Sequence, residues 1–138
     1  PIKNFSIYSL TKAAIVRFNE TIAHELISYN ININSVSPGF LKTKMTDDVI
    51  KAGKRKVGKE YYDRNILQKK LGGDGFERAC NLIIFLCSSR ASHIYGKIIS
   101  AIWDNWHLFS KYKNISKNDV FTLRRIIGKE RNYNKLDK

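Results

Sequence analysis

The chain has 138 residues, 43% of them hydrophobic, and a formal net charge of +13. This is one domain's worth of sequence with an ordinary core-forming fraction. No apolar run approaches the roughly 20 residues that span a bilayer, so a membrane is not expected as a partner. The charge points first to nucleic acid or an anionic surface, but it is unevenly placed. Residues 42–70 carry 10 basic and 4 acidic side chains and residues 107–138 carry 9 and 3, while the rest is near balance. No nucleic-acid motif accompanies the excess, so nucleic acid is not expected as a partner. A solvated lid and tail, or a basic mouth for an anionic substrate or cofactor phosphate, are the two readings of it.

In chain order, Ser9 to Tyr29 predicts a long amphipathic helix. Leu10, Ala13, Ala14, Phe18, Ile22 and Leu26 recur at three- and four-residue steps, with no Pro or Gly inside. Asn30 suits a left-handed C-cap. The β-branched run from Ile31 to Val36 predicts a buried strand, which Pro38 and Gly39 end. Residues 46–70 are polar, with short helices expected at 46–51 and 59–67 and breaks at Gly53 and Gly58. Gly72 to Gly75 is a loop. From Gly75 to Ser88 a second helix is apolar almost all round, which predicts deep burial. Residues 97–102 predict a second strand. In the polar tail, Asp119 as N-cap followed by Val120, Leu123, Ile126 and Ile127 predicts a short amphipathic helix. This alternation is that of an α/β doubly wound sheet.

Cys80 and Cys87 lie seven apart on the second helix, about 10 Å by helix rise and too far to bridge. They are expected to be buried thiols in a reducing compartment. Neither has a partner at metal-ligand spacing, and no metal is expected. His24, His93 and His107 have no triad or metal spacing either and read as surface or capping residues. Trp103 and Trp106 are expected chiefly to pack in the core, with a subunit interface or substrate pocket as the other readings.

Tyr8 and Lys12 form a Tyr-x-x-x-Lys pair, which chance supplies readily in a chain with 7 Tyr and abundant Lys. Context gives it weight. The pair opens a small-residue helix, Tyr8-Ser9-Leu10-Thr11-Lys12-Ala13-Ala14. Ala23-His24-Glu25-Leu26 follows, then Tyr29 to Gly39 with Ser37-Pro38-Gly39, then Ser88 to Tyr95 and the Gly96 to Ser100 strand. In that order and register, residues 1 to about 106 resemble the C-terminal half of a short-chain dehydrogenase/reductase. The end of the last strand, with Asp119 to Arg125 near the tail, is similar to a subgroup linked to bacterial surface-polysaccharide genes.

The resemblance implies the C-terminal part of a doubly wound, Rossmann-like parallel sheet with a partly helical C-terminal extension. Residues 1–106 would be the domain portion, with a lid at about 44–70, and residues 107–138 a basic extension. It implies an NAD(P)-dependent oxidoreductase passing hydride between nicotinamide and a small carbonyl or secondary alcohol substrate, cytoplasmic, and a homo-oligomer when complete. NAD or NADP is left open. Residues at i and i+4 share a helix face, and a nearby cation favours an ionised phenol. Tyr8 would exchange the proton while Lys12 assists it and holds the ribose. Pro38, Gly39, Leu41 and Thr43 would hold the nicotinamide end.

The glycine-rich phosphate loop and catalytic Ser of such enzymes are not within the sequence. The chain opens just before Tyr8 without Met, so the second half of an enzyme is the expectation, dependent on sequence outside it for stability. A non-catalytic truncated remnant or subunit-interaction fragment is the alternative. Trp103-Asp104-Asn105-Trp106 stands where the family commonly has Asp-Gly-Gly, so the family's usual subunit packing is not expected at that edge.

Overall fold

A computed structural model describes residues 3–126 and 130. Among these residues, five helices and two parallel strands make an α/β arrangement: α1 (Ser6–Leu26), β1 (Ser35–Ser37), α2 (Lys44–Ala52), α3 (Lys54–Val57), α4 (Lys59–Leu71), α5 (Phe76–Leu86) and β2 (Ile98–Ser100). Short 3-10 turns follow α1 and α5 and occupy Trp106–Lys111 and Ile115–Lys117.

α1 starts three residues before the expected Ser9, so Tyr8 sits inside its first turn rather than ahead of it. Its last turn tightens into a 3-10 turn at Ile27–Tyr29. Asn30 then takes a left-handed conformation (φ 60°) and donates its N–H to the Ile27 carbonyl, as its short polar side chain allows. Gly53 and Gly58, both at positive φ, separate α2, α3 and α4 as the sequence predicts.

The strands are shorter than expected. Among the described residues β1 pairs only with β2, in parallel, with Ser35, Val36 and Ser37 opposite Ile98, Ile99 and Ser100. The Ile31–Asn34 stretch stays outside the ladder because its polar groups bond elsewhere. Asn32 and Asn34 donate to the carbonyls of Ser92 and Ile94, each at 2.8 Å, and Gly96 N–H donates to the Ile33 carbonyl.

The core lies between α5, the strands and the C-terminal turns. Ala79, Leu82 and Phe85 of α5 pack with Ala91, Ile94, Ile99 and Ala101, and with Trp106, Phe109 and Ile115. Leu82, Ile94 and Ile99 are fully buried, each stabilising the fold by about 1.5–3 kcal/mol. α5 is not deeply buried all round, as its composition predicted. Phe76, Ile83 and Ile84 on its far side are exposed, and so are Cys80 and Cys87. A helix apolar on every side needs neighbours on every side, and the described residues supply them to one face only. Trp106 is in the core and bonds the Ala101 carbonyl, whereas Trp103 is 87% exposed, against the expectation of core packing.

The predicted tail helix is absent over 119–126; Ile127 lies outside the described residues. Instead residues 118–123 form a strap of bends and turns at the outer edge of β2, with Phe121 in a left-handed conformation (φ 56°). The Ile98 N–H donates to the Phe121 carbonyl at 2.8 Å. Buried Lys97 donates its ammonium to the carbonyls of Asn118 (2.6 Å) and Val120 (3.0 Å). Burial holds that ammonium below the usual lysine range, opposed by the charges of Asp119 and Glu20. Buried Glu20 on α1 accepts the Leu123 N–H at 2.5 Å and pairs with Arg17 at 2.8 Å. These bonds satisfy the strap's backbone from outside, which a three-turn propensity signal does not outweigh.

No described helix is long and apolar enough to cross a membrane.

Candidate active site

Tyr8 and Lys12 lie one turn apart on α1, and the structure brings them together. The Lys12 ammonium sits 5.5 Å from the centre of the Tyr8 ring, within cation–π range. Tyr8 is 46% exposed, open to an incoming molecule. Thr11 returns its hydroxyl to the Tyr8 carbonyl at 2.8 Å. Phe5, just ahead of the helix, packs edge-on to Tyr8 at 5.8 Å and against Tyr61 of α4 at 4.5 Å.

The second group follows β1. Gly39 has φ +84°, and a Cβ there would come within 2.5 Å of the Ile102 Cγ1 and 2.7 Å of the Asp74 carboxylate. Only glycine fits this conformation and this space. Asp74 clamps the loop from the other side: its carboxylate accepts the Phe40 N–H at 2.6 Å, and its own N–H donates to the Phe40 carbonyl at 2.9 Å. Asp74 is a positioning residue that sequence reasoning missed. The available signal was one carboxylate among the loop glycines Gly72, Gly73 and Gly75, a residue type that bonds backbone N–H groups in turns.

Leu41 is half-buried, and its carbonyl lies 3.4 Å from the hydroxyl of buried Thr46. Thr43 is exposed at the start of α2 in extended conformation (φ −132°, ψ 171°), and its side chain makes no capping bond. Pro38, Gly39, Leu41 and Thr43 thus form one loop leading from the end of β1 into α2.

The pair and the loop sit on separate elements, and two features relate them. Asn19 of α1 donates to the Ser35 hydroxyl of β1 at 3.0 Å. α4 reaches both: Tyr61 packs on Phe5 beside Tyr8, and Lys69 bonds Asp47 of α2 at 2.6 Å. The Lys69 hydrogen bond and charge hold the Asp47 carboxyl below its ordinary range.

An exposed phenol and an ammonium stand side by side, and a threonine hydroxyl with no cap to make sits at a helix N-terminus, where backbone N–H groups lack intrahelical partners. Among the described residues, no group of three or more His, Cys, Asp or Glu could hold a metal ion.

The sequence model of the Enoyl-(Acyl carrier protein) reductase family matches residues 1–101. The chain belongs to the short-chain dehydrogenase/reductase family. Members of this family are oxidoreductases, and several curated relatives are similar to it. The 3-oxoacyl-[acyl-carrier-protein] reductase FabG of Aquifex aeolicus is 37% identical over 92 residues, covering 67% of this chain and 34% of the relative. The Dehydrogenase/reductase SDR family member 4 of Sus scrofa is 31% identical over 99 residues, covering 72% and 34%. A chloroplastic tropinone reductase homolog of Arabidopsis thaliana is 34% identical over 99 residues, covering 71% and 29%. The chain spans about a third of the length of these relatives. No solved structure matches it significantly.

Proposed function

We propose that this chain supplies the proton-transfer and nicotinamide-holding part of an NAD(P)-dependent oxidoreductase acting on a small carbonyl compound or secondary alcohol. The observation that carries the reading is the Tyr8–Lys12 pair, an exposed phenol with an ammonium against its ring, in a chain of this family. The bound nicotinamide, from NAD or NADP, supplies the hydride for reduction or accepts it in oxidation. Tyr8 donates its phenolic proton to the carbonyl oxygen as the carbon takes the hydride, leaving an alcohol and a phenolate; in the reverse direction the phenolate takes the alcohol's proton. The Lys12 charge stabilises that phenolate, and its ammonium holds the ribose. Pro38 and Gly39 shape the loop, while Leu41 and Thr43 offer it hydrogen-bonding groups.

In this reading β1 and β2 are strands of the C-terminal part of a doubly wound, Rossmann-like sheet in a cytoplasmic homo-oligomer. Residues 44–70, which hold α2, α3 and most of α4, close over substrate and exclude water. Residues 1–106 act as the domain portion and 107–138 as an extension.

To test this, the part of the Aquifex reductase that precedes its matched region is joined to this chain, and cofactor oxidation is followed with 3-oxoacyl thioesters and simple ketones. Carbonyl-dependent oxidation of NADH or NADPH is the expected result. A folded joined protein that binds either cofactor yet reduces no carbonyl would overturn the reading.

A second reading is a non-catalytic subunit-interaction fragment or remnant. It draws on α1, whose Ile7, Leu10, Ile15 and Phe18 are all more than half exposed. A stoichiometric complex through α1, with no nicotinamide binding in either partner, is what that reading requires.

A further inference from the structure

We infer that the groove between the turn after β2 and the C-terminal strap binds a single-chain amphipathic anion, an apolar tail with one acidic head. The groove has a volume of about 860 Å³, within the size of ordinary small-molecule sites. Its walls come from residues beyond 101, where the family match ends, so the site is separate from the reductase reading and does not depend on it.

The floor is apolar and built into the core. Phe109 and Ile115 are each only 5% exposed, and the Phe121 ring lies 4.9 Å from that of Phe109. The upper walls carry Leu108, Tyr112 and Val120, all exposed, and Trp103 at the lip is the most exposed large apolar residue described. Apolar side chains gathered around a concavity and left in water favour an apolar occupant.

Charge selects the head group. Lys111 and Lys113 line the groove, and the ion pairs among the described residues do not use them. The carboxylate that also lines it, Asp104, is turned to the backbone and accepts the Ser100 N–H at 2.6 Å. An acidic head can therefore meet two lysines while the tail lies on Phe109 and Phe121. A second copy of the chain is a poorer occupant, since its net charge of +13 brings like charge to the lysines.

Decanoate and its uncharged analogue decanol, titrated separately into the full chain, test this through the fluorescence of Trp103, with Trp103→Phe giving the background from buried Trp106. Saturable binding of one decanoate per chain is expected. Lys111→Ala with Lys113→Ala should weaken decanoate about fivefold and leave decanol unchanged, and Val120→Glu should remove saturable binding of both. All three positions are exposed, so these variants keep the fold, as circular dichroism verifies. Non-saturable decanoate binding, an equal response of decanoate and decanol to the lysine changes, or a dimer that Val120→Glu dissociates would each overturn the assignment.

Discussion

Tyr8→Phe, introduced into the joined reductase, is expected to lower kcat by about 10² to 10⁴-fold, the range that a positioned acid–base group contributes. The substitution removes one hydroxyl. It leaves the ring that packs on Phe5 and the ring face beside the Lys12 ammonium, and it does not touch the loop from Pro38 to Thr43. Cofactor KM should therefore stay within about twofold while kcat falls, the pattern of an interaction made only in the transition state. Lys12→Met differs, because the ammonium both stabilises the phenolate and holds ribose. It should lower kcat and raise cofactor KM together. If Tyr8→Phe left kcat unchanged, the phenol would not be the proton donor.

Gly39→Ala should have the largest effect on the loop. A side chain at φ +84° is strained by about 1–3 kcal/mol, and the added Cβ would drive into the Ile102 side chain and the Asp74 carboxylate. Overpacking of that kind costs about 1–3 kcal/mol more. Relief requires Asp74 to move, which releases the Phe40 N–H that it holds. Gly53→Ala is the control for space: its φ is +79°, and nothing lies within 4 Å of the new Cβ. Urea unfolding of both variants separates the two effects. Gly39→Ala should be the more destabilising by about 1–3 kcal/mol, and in the joined enzyme it alone should raise cofactor KM. Equal destabilisation would mean that the loop is not clamped.

The helical framework was legible because its signals are local. The three- and four-residue spacing in α1, the left-handed Asn30 and the breaks at Gly53 and Gly58 need no distant partner to act. What the sequence concealed depends on long-range contacts. Ile31 and Ile33 read as strand, yet Asn32 and Asn34 between them bond the segment around Ser92 and Ile94, so the ladder starts only at Ser35. Val120 and Leu123 carry helical spacing, yet Lys97 and Glu20 bond the backbone of that stretch and fix it as turns beside β2. The apolar composition of α5 announced burial without saying how many faces have neighbours, and Cys80, Cys87, Ile83 and Ile84 stay exposed. At the candidate site, Tyr8, Lys12 and the Pro38–Thr43 loop were picked out by motif. Asp74 was not: its place among the loop glycines marks a turn, but not the backbone 34 residues away that its carboxylate bonds.

The most direct measurement follows the hydride. The joined reductase is given NADH or NADPH carrying deuterium at both C4 positions of the dihydronicotinamide together with a ketone, and the alcohol is analysed by mass spectrometry and NMR. Hydride transfer assisted by Tyr8 puts deuterium on the carbinol carbon, at a rate that Tyr8→Phe reduces at least about 100-fold. Cofactor oxidation without deuterium at that carbon, or label transfer indifferent to Tyr8, would contradict it.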